Sequence, residues 1–235
     1  AIISGIAWDH INVFPTFDDY LETFRKFILS IEAGGYLIFN AEDEVLVEMV
    51  SQLKPSLHLI PYSPFAFKAE DDESILLYHE NKYPINVFGS HNFANLKSAF
   101  EVGKIVGLTE SQILESFQSF QGAAKRLEKI FDDKEKQLTI FRDFAHAPSK
   151  VKATVKAVRE RYVNRKIIAV FELHTYSSLQ ENFIEHYAHS LDAADVRILF
   201  LDEEALKIKN KQDLDENWLK AQFADDSILV FKDAA

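Results

Sequence analysis

Five short runs of the chain combine residue types that do chemistry. Trp8-Asp9-His10 sets a carboxylate beside an imidazole after the apolar run Ile2-Ile3-Ser4-Gly5-Ile6-Ala7. That pair suits a hard cation or a phosphate; the alternative is a loop histidine that caps the next element. In Gly89-Ser90-His91-Asn92-Phe93-Ala94-Asn95, Asn92 and Asn95 are three apart. On a helix they share a face and can read the donor and acceptor edge of a base; ordinary capping by Ser90 or Asn92 is the competing account. Lys125 and Arg126, in Phe120–Glu128, are either a ligand contact at a domain junction or a surface charge cluster in a linker. Asp143 and His146, in Arg142–Ser149, leave a strand and precede a helix, the crevice position of a doubly wound fold; Asp143 would otherwise be a turn former. His174 follows the apolar strand 166–171, again at a carboxyl end, in a loop that Ser177 or Ser178 could close as a cap.

These residues need strands and helices to hold them. The first eight residues read as a buried strand. Asp18–Ile31 reads as a helix, with Tyr36–Phe39 the next strand, Ala41 to about Leu53 a helix, and Leu57–Ile60 a strand that Pro61 closes. Residues 62–88 read as a small β-meander, turning at Glu80-Asn81-Lys82. From His91 the pattern is helical, with Ala94, Ala99, Val102, Ile105 and Val106 as its apolar members and Gly107 at C′. Thr109-Glu110-Ser111-Gln112 is a capping box opening a helix whose face is Ile113, Leu114, Phe117 and Phe120. After Gly122 the order is β-β-α-β-α-β plus a last strand. Strands are expected near 126–131, 137–144, 166–172, 196–201 and 227–232, with helices from Ser149 and from Leu179, the latter carrying Phe183, Tyr187 and Leu191. Lys166–Phe171 is apolar nearly throughout, the pattern of a parallel strand covered on both faces. Lys207–Lys211 reads as a solvated surface segment. The expected architecture is α/β, in two domains: 1–122 and 123–235.

Composition removes several function classes. The 235 residues hold 26 Lys+Arg against 37 Asp+Glu, a net charge of −11. Phosphate-backbone binding needs a basic face, so nucleic acid is not an expected partner. No run approaches the ~18–20 apolar residues of a membrane span. Zero Cys excludes a disulfide, a thiolate metal site or a Cys nucleophile, and fits a reducing cytosol. None of the glycines begins a G-x-x-x-x-G-K-[ST] or G-x-G-x-x-G run.

Taken in order, Trp8–Pro15, Gly89–Asn95, Phe120–Glu128, Asp143-Phe144-Ala145-His146-Ala147-Pro148 and Val170–His174 resemble the Mur ligase family, the ATP-dependent amide ligases of bacterial cell-wall precursor synthesis. The resemblance covers nearly the whole chain. It implies the second half of a central ATP-binding α/β domain followed by a C-terminal Rossmann-like, doubly wound domain. It also implies a missing N-terminal part carrying the phosphate loop, so the 235 residues alone are expected to lack activity and to bind ATP negligibly. The implied substrates are UDP-N-acetylmuramate and an amino acid or peptide. Members that attach a tripeptide during wall recycling look most similar, and L-alanine-adding members stay open.

ATP and Mg²⁺ are the implied cofactors, in a cytoplasmic enzyme. By resemblance His10 is a Mg²⁺ ligand. His91, Asn92 and Asn95 lie at the adenine, Arg126 reaches the nucleotide, and Asp143 holds the ribose. His146 and His174 face the phosphates and the incoming amine. The implied reaction phosphorylates a carboxylate, and an amine then attacks the acyl phosphate, so positioning and cations dominate. A competing reading is a non-catalytic binding or interaction module that kept the fold. Ala147, where the family usually has a second His, and the absence of basic residues at Thr175 and Ser178 motivate it. A folylpolyglutamate-synthase-like ligase fits the His91-Asn92 and Ala145–Pro148 runs less well.

Overall fold

The computed structural model describes residues 1–53, 55–70, 73–175, 177–201 and 215–232 of a mixed α/β protein. Two compact units divide the chain: Ala1–Trp8 with Phe14–Gln121, and Asp9–Val13 with Gly122–Ala235. Among the described residues no helix is long and apolar enough to cross a membrane. The segment 207–211 lies outside the described residues.

The first unit begins with a parallel sheet in the order β1 (Ile2–Ile3), β2 (Tyr36–Asn40), β3 (His58–Tyr62). Helices α1 (Phe17–Leu29) and α2 (Glu44–Leu53) make the crossovers that parallel pairing demands. Thr16 starts α1 by accepting the N–H of Asp19, and Asp18 and Asp19 lie in the first turn, where the helix dipole favours them. Phe17, Tyr20, Leu21 and Phe24 pack on a core of Ile3, Ile28, Leu37, Phe39, Leu46 and Met49. Asp43 ties two elements together. Its Oδ1 accepts the N–H of Leu46 in α2, and its Oδ2 accepts the N–H of Ile6 after β1. A Cβ on Gly5 would come within 3.1 Å of that Oδ2, which is why the loop is bare there. Pro61 does not close β3. It sits inside the strand opposite Phe39, tolerated because β3 is the sheet's edge and needs no donor on its open side.

The meander of β4 (Ala66–Glu70), β5 (Glu73–Tyr78) and β6 (Asn81–Ile85) is antiparallel. Its second turn is His79-Glu80, with His79 at φ 52, so Asn81 already pairs with Tyr78. Helix α3 (Ser90–Ile105) serves two cores, which the apolar set of the sequence reading did not separate. Ala94 lies with Ile38 and Tyr62 of the parallel sheet, and Val102 packs on them. Phe93, Leu96 and Phe100 join Phe65, Leu76 and Ile85 of the meander region and Ile113, Leu114 and Phe117 of α4 (Glu110–Ser119). Fully burying each Phe contributes about 1.5–3 kcal/mol. Val106 and Phe120, assigned to apolar faces, are exposed caps instead. Gly107, at φ 87, ends α3, and both halves of the Thr109–Gln112 capping box form.

The second unit holds a hairpin, β7 (Glu128–Asp133) and β8 (Leu138–Arg142), then α5 (Pro148–Arg161). A parallel sheet follows, β11–β10–β9, made of β9 (Ile168–Glu172), β10 (Val196–Phe200) and β11 (Leu229–Phe231), with α7 (Glu216–Gln222) before β11. β9 is parallel to β10 as its composition suggests, but it is not covered on both faces. Its period-two alternation buries Phe171 and leaves Ile168 and Val170 59% and 66% exposed.

The helix expected from Leu179 is broken. A 3₁₀ turn (Ser177–Leu179), α6 (Glu181–Ile184) and a second 3₁₀ turn (Glu185–Tyr187) replace it, with Gln180 extended between the first turn and α6. The pieces still bury Phe183, Tyr187 and Leu191. Tyr187 stacks on Phe223, with ring centres 5.5 Å apart.

Candidate active site

The densest chemistry lies in the second unit, where Asp9–Val13 packs with the α5 region. Asp9 is 4% exposed. Its Oδ1 accepts the N–H of His10 at 2.7 Å, and this bond holds His10 at φ 56, a region few non-glycine residues enter. Its Oδ2 accepts the Lys150 ammonium at 2.8 Å. Nε2 of His146 and Nε2 of His10 stand 3.6 and 3.7 Å from the same oxygen. Burial pushes the Asp9 carboxyl up, but the hydrogen bonds from Lys150 and the His10 N–H, with the charges of Lys150 and His10, outweigh it and hold the group below the ordinary carboxylate range.

His146 is fixed from two sides. Its Nδ1 lies 3.0 Å from the Phe144 carbonyl, and its own carbonyl accepts the Tyr187 hydroxyl. Burial, with the Asp9 charge nearby, pushes the Tyr187 phenol well up, so it stays a donor. Among the described residues, Asp9, His10 and His146 form the one group of three metal-ligand types whose donor atoms all lie within 4.8 Å.

Arg126 and Asp143 also come together in this unit. The Arg126 guanidinium lies 5.4 Å over the Phe144 ring. Asp143 accepts the N–H of Leu127 at 2.5 Å, the N–H of Ala145 at 2.6 Å and the Thr154 hydroxyl at 3.3 Å. It thus joins the 122–127 loop to the start of α5, which matches the turn-former account of this residue. The loop is tightly wound, with Lys125 and Leu127 at φ 58 and 46. Pro148 takes the first turn of α5, where its missing N–H costs nothing.

His174 stands apart from the Asp9 group. It follows β9 with Nδ1 3.2 Å from the Glu172 carbonyl. Beside it Thr175 and the fully buried Ser178 bind each other's backbone N–H reciprocally.

In the first unit, His91, Asn92 and Asn95 lie on the opening turns of α3. The cap is Gly89, at φ 86, with no side-chain cap bond, so neither Ser90 nor Asn92 acts as the N-cap. The Asn92 amide instead donates to the Phe88 carbonyl at 2.8 Å, while Asn95 is exposed one turn on.

The sequence reading passed over Lys150 and Tyr187. Lys150 did leave a signal: a cation in the first turn of a helix opposes the dipole and implies a carboxylate partner. Tyr187 left none, since an aromatic at helical spacing reads as core.

The arrangement has relatives. Residues 1–103 match the family model of the Mur ligase middle domain, and residues 125–234 that of the Mur ligase, glutamate ligase domain. The UDP-N-acetylmuramate–L-alanine ligase of Caldicellulosiruptor saccharolyticus is 30% identical over 221 residues, covering 89% of this chain and 48% of its own length. The chain thus spans about half the length of this relative. Among solved structures, the UDP-N-acetylmuramate–alanine ligase of Thermotoga maritima matches at TM-score 0.65 and 18% identity, over 99% of this chain and 50% of that one. The murein peptide ligase of Psychrobacter arcticus matches at TM-score 0.59 and 16% identity, over 99% and 49%. At such identities the two structures speak for the fold, and the family assignment comes from the paired domains. With a Mur ligase middle domain followed by a Mur ligase C-terminal domain, the chain belongs to the Mur ligase family.

Proposed function

We propose that this protein serves as an ATP-dependent ligase that joins an amine to the carboxylate of UDP-N-acetylmuramate, in the cytoplasm, during peptidoglycan synthesis or recycling. The observation that supports this most is the succession of the two family domains, with Asp9, His10 and His146 converging in the second unit. The amine is L-alanine, as the name of the Caldicellulosiruptor relative suggests, or the tripeptide L-alanyl-γ-D-glutamyl-meso-diaminopimelate.

In this reading residues 1–122 carry the adenine contacts His91, Asn92 and Asn95, and residues 123–235 carry the ligase domain. Arg126 and Asp143 hold the rest of the nucleoside. His146 and His174 face the phosphates and the amine. His10, beside the hard carboxylate oxygen of Asp9, is the metal contact. That oxygen would suit Mg²⁺, which takes hard oxygen ligands. When bound, Mg²⁺ supplies charge neutralisation for phosphoryl transfer. The chain's own residues supply position: Tyr187 and the Phe144 carbonyl hold the His146 ring, and Asp9 holds His10.

The test is phosphate release by the whole protein, with ATP, UDP-N-acetylmuramate and each amine in turn. Release that needs the sugar nucleotide and one amine is expected, and the amine that works names the substrate. No release with any amine would overturn the reading in favour of a binding module that kept the fold.

A further inference from the structure

A phenylalanine at position 187 would fill the same place in the core. The Tyr187 ring is fully buried, tilted against Phe171 with ring centres 5.3 Å apart and stacked on Phe223 at 5.5 Å. A hydroxyl carried into such surroundings costs free energy unless it is hydrogen-bonded, so its partners are informative. It donates to the His146 carbonyl, in the turn before α5. The Thr175 hydroxyl, in the loop after β9, is its second hydrogen-bond partner.

Thr175 is itself tied down. Its Oγ1 accepts the N–H of Ser178 at 3.1 Å, and Ser178 Oγ accepts the N–H of Thr175 at 3.1 Å. The two hydroxyl oxygens lie 2.9 Å apart, and Ser178 is wholly buried. Three hydroxyls thus form one network that ends on the His146 carbonyl. The segments it joins each leave the carboxyl end of a strand, β8 and β9. Each carries one of the two imidazoles that face the phosphates and the amine under the proposed function.

We propose that Tyr187 and Thr175 are positioning residues for amide formation, whose hydroxyls hold the His146 turn and the His174 loop in one fixed relation. The inference rests on the ligase reading for its consequence in the reaction, while the network itself involves no substrate. Displacing a reacting group by about 1 Å can cost about a hundredfold in rate, so a bond that fixes two loops carries weight.

Steady-state kinetics of the whole protein test it, with ATP, UDP-N-acetylmuramate and the amine that works. Tyr187→Phe keeps the ring and removes the hydroxyl, and it should lower kcat by about ten- to a hundredfold. Thr175→Val should do the same, and Thr175→Ser, which keeps the hydroxyl, should recover the rate. Both changes cut one network, so the double variant should be no slower than the slower single variant. A purely structural role would lower the melting temperature and leave kcat alone. A kcat unchanged by Tyr187→Phe, or losses that multiply in the double variant, would overturn the inference and leave the ligase reading standing. A parent that releases no phosphate with any amine would overturn the ligase reading, and the role in catalysis with it. The ¹³C resonance of the His146 carbonyl in the 235-residue protein then decides the network by itself. Thr175→Val should shift that resonance in the parent and not in the Tyr187→Phe background. Equal shifts in both, or none in either, would show that the hydroxyls are not connected.

Discussion

Glu101 shows how single charges are held in this protein. It is a buried carboxylate on α3 whose oxygens accept Lys97 Nζ at 2.7 Å and Lys104 Nζ at 3.2 Å. Lys97 also lies 4.8 Å over the Phe100 ring. Burial pushes the Glu101 carboxyl up, but Lys97 and then Lys104 outweigh it and hold it below the ordinary range. A carboxyl that is lowered in the folded state contributes stability above the ordinary glutamate value of about 4.3, and that contribution is lost as pH falls through the lowered value. Lys97→Met should therefore destabilise by about 1 kcal/mol at neutral pH. It should also flatten the stability loss below pH about 4.3, as urea unfolding at several pH values would show. Asp143 makes a second case. Removing an acceptor of two backbone N–H groups leaves both unpaired, so Asp143→Ala should cost about 1–3 kcal/mol by the same measurement, with Asp143→Asn recovering part through its remaining oxygen.

At the level of elements, what could be read from the sequence was what neighbouring residues decide. Thr109 and Gln112 cap each other across three positions, and Gly107 takes a backbone angle that other residues resist, so both ends of that helix pair were legible. What distant residues decide was not. Pro61 fits inside β3 because, among the described residues, β3 is an edge of its sheet. The helix expected after Leu179 breaks into turns around Tyr187, whose hydroxyl is engaged 41 positions away. Asp9 and Lys150 are 141 positions apart, so the candidate site's residue types could be read but not the ion pair at its centre.

The α3–α4 contact offers two element-scale tests. Thr109→Ala removes the cap and should cost about 1 kcal/mol. A Cβ at Gly103 would stand 2.6 Å from Ile113 Cδ1, so Gly103→Val should cost about 1–3 kcal/mol through overpacking. Thermal unfolding of both variants checks these values. A Gly103→Val protein as stable as its parent would mean the helices approach less closely than described.

At the scale of the whole molecule, two compact units carry different parts of one proposed chemistry. The first presents amides on the opening turns of α3, and the second presents imidazoles and a carboxylate around Asp9. The paired Mur ligase domains make carboxylate activation the central claim. The most direct measurement uses UDP-N-acetylmuramate whose carboxylate carries heavy oxygen, incubated with the whole protein, ATP and the amine. Activation through an acyl phosphate predicts that the released inorganic phosphate gains one labelled oxygen from the carboxylate. Amide product formed with no label in the phosphate would contradict the account.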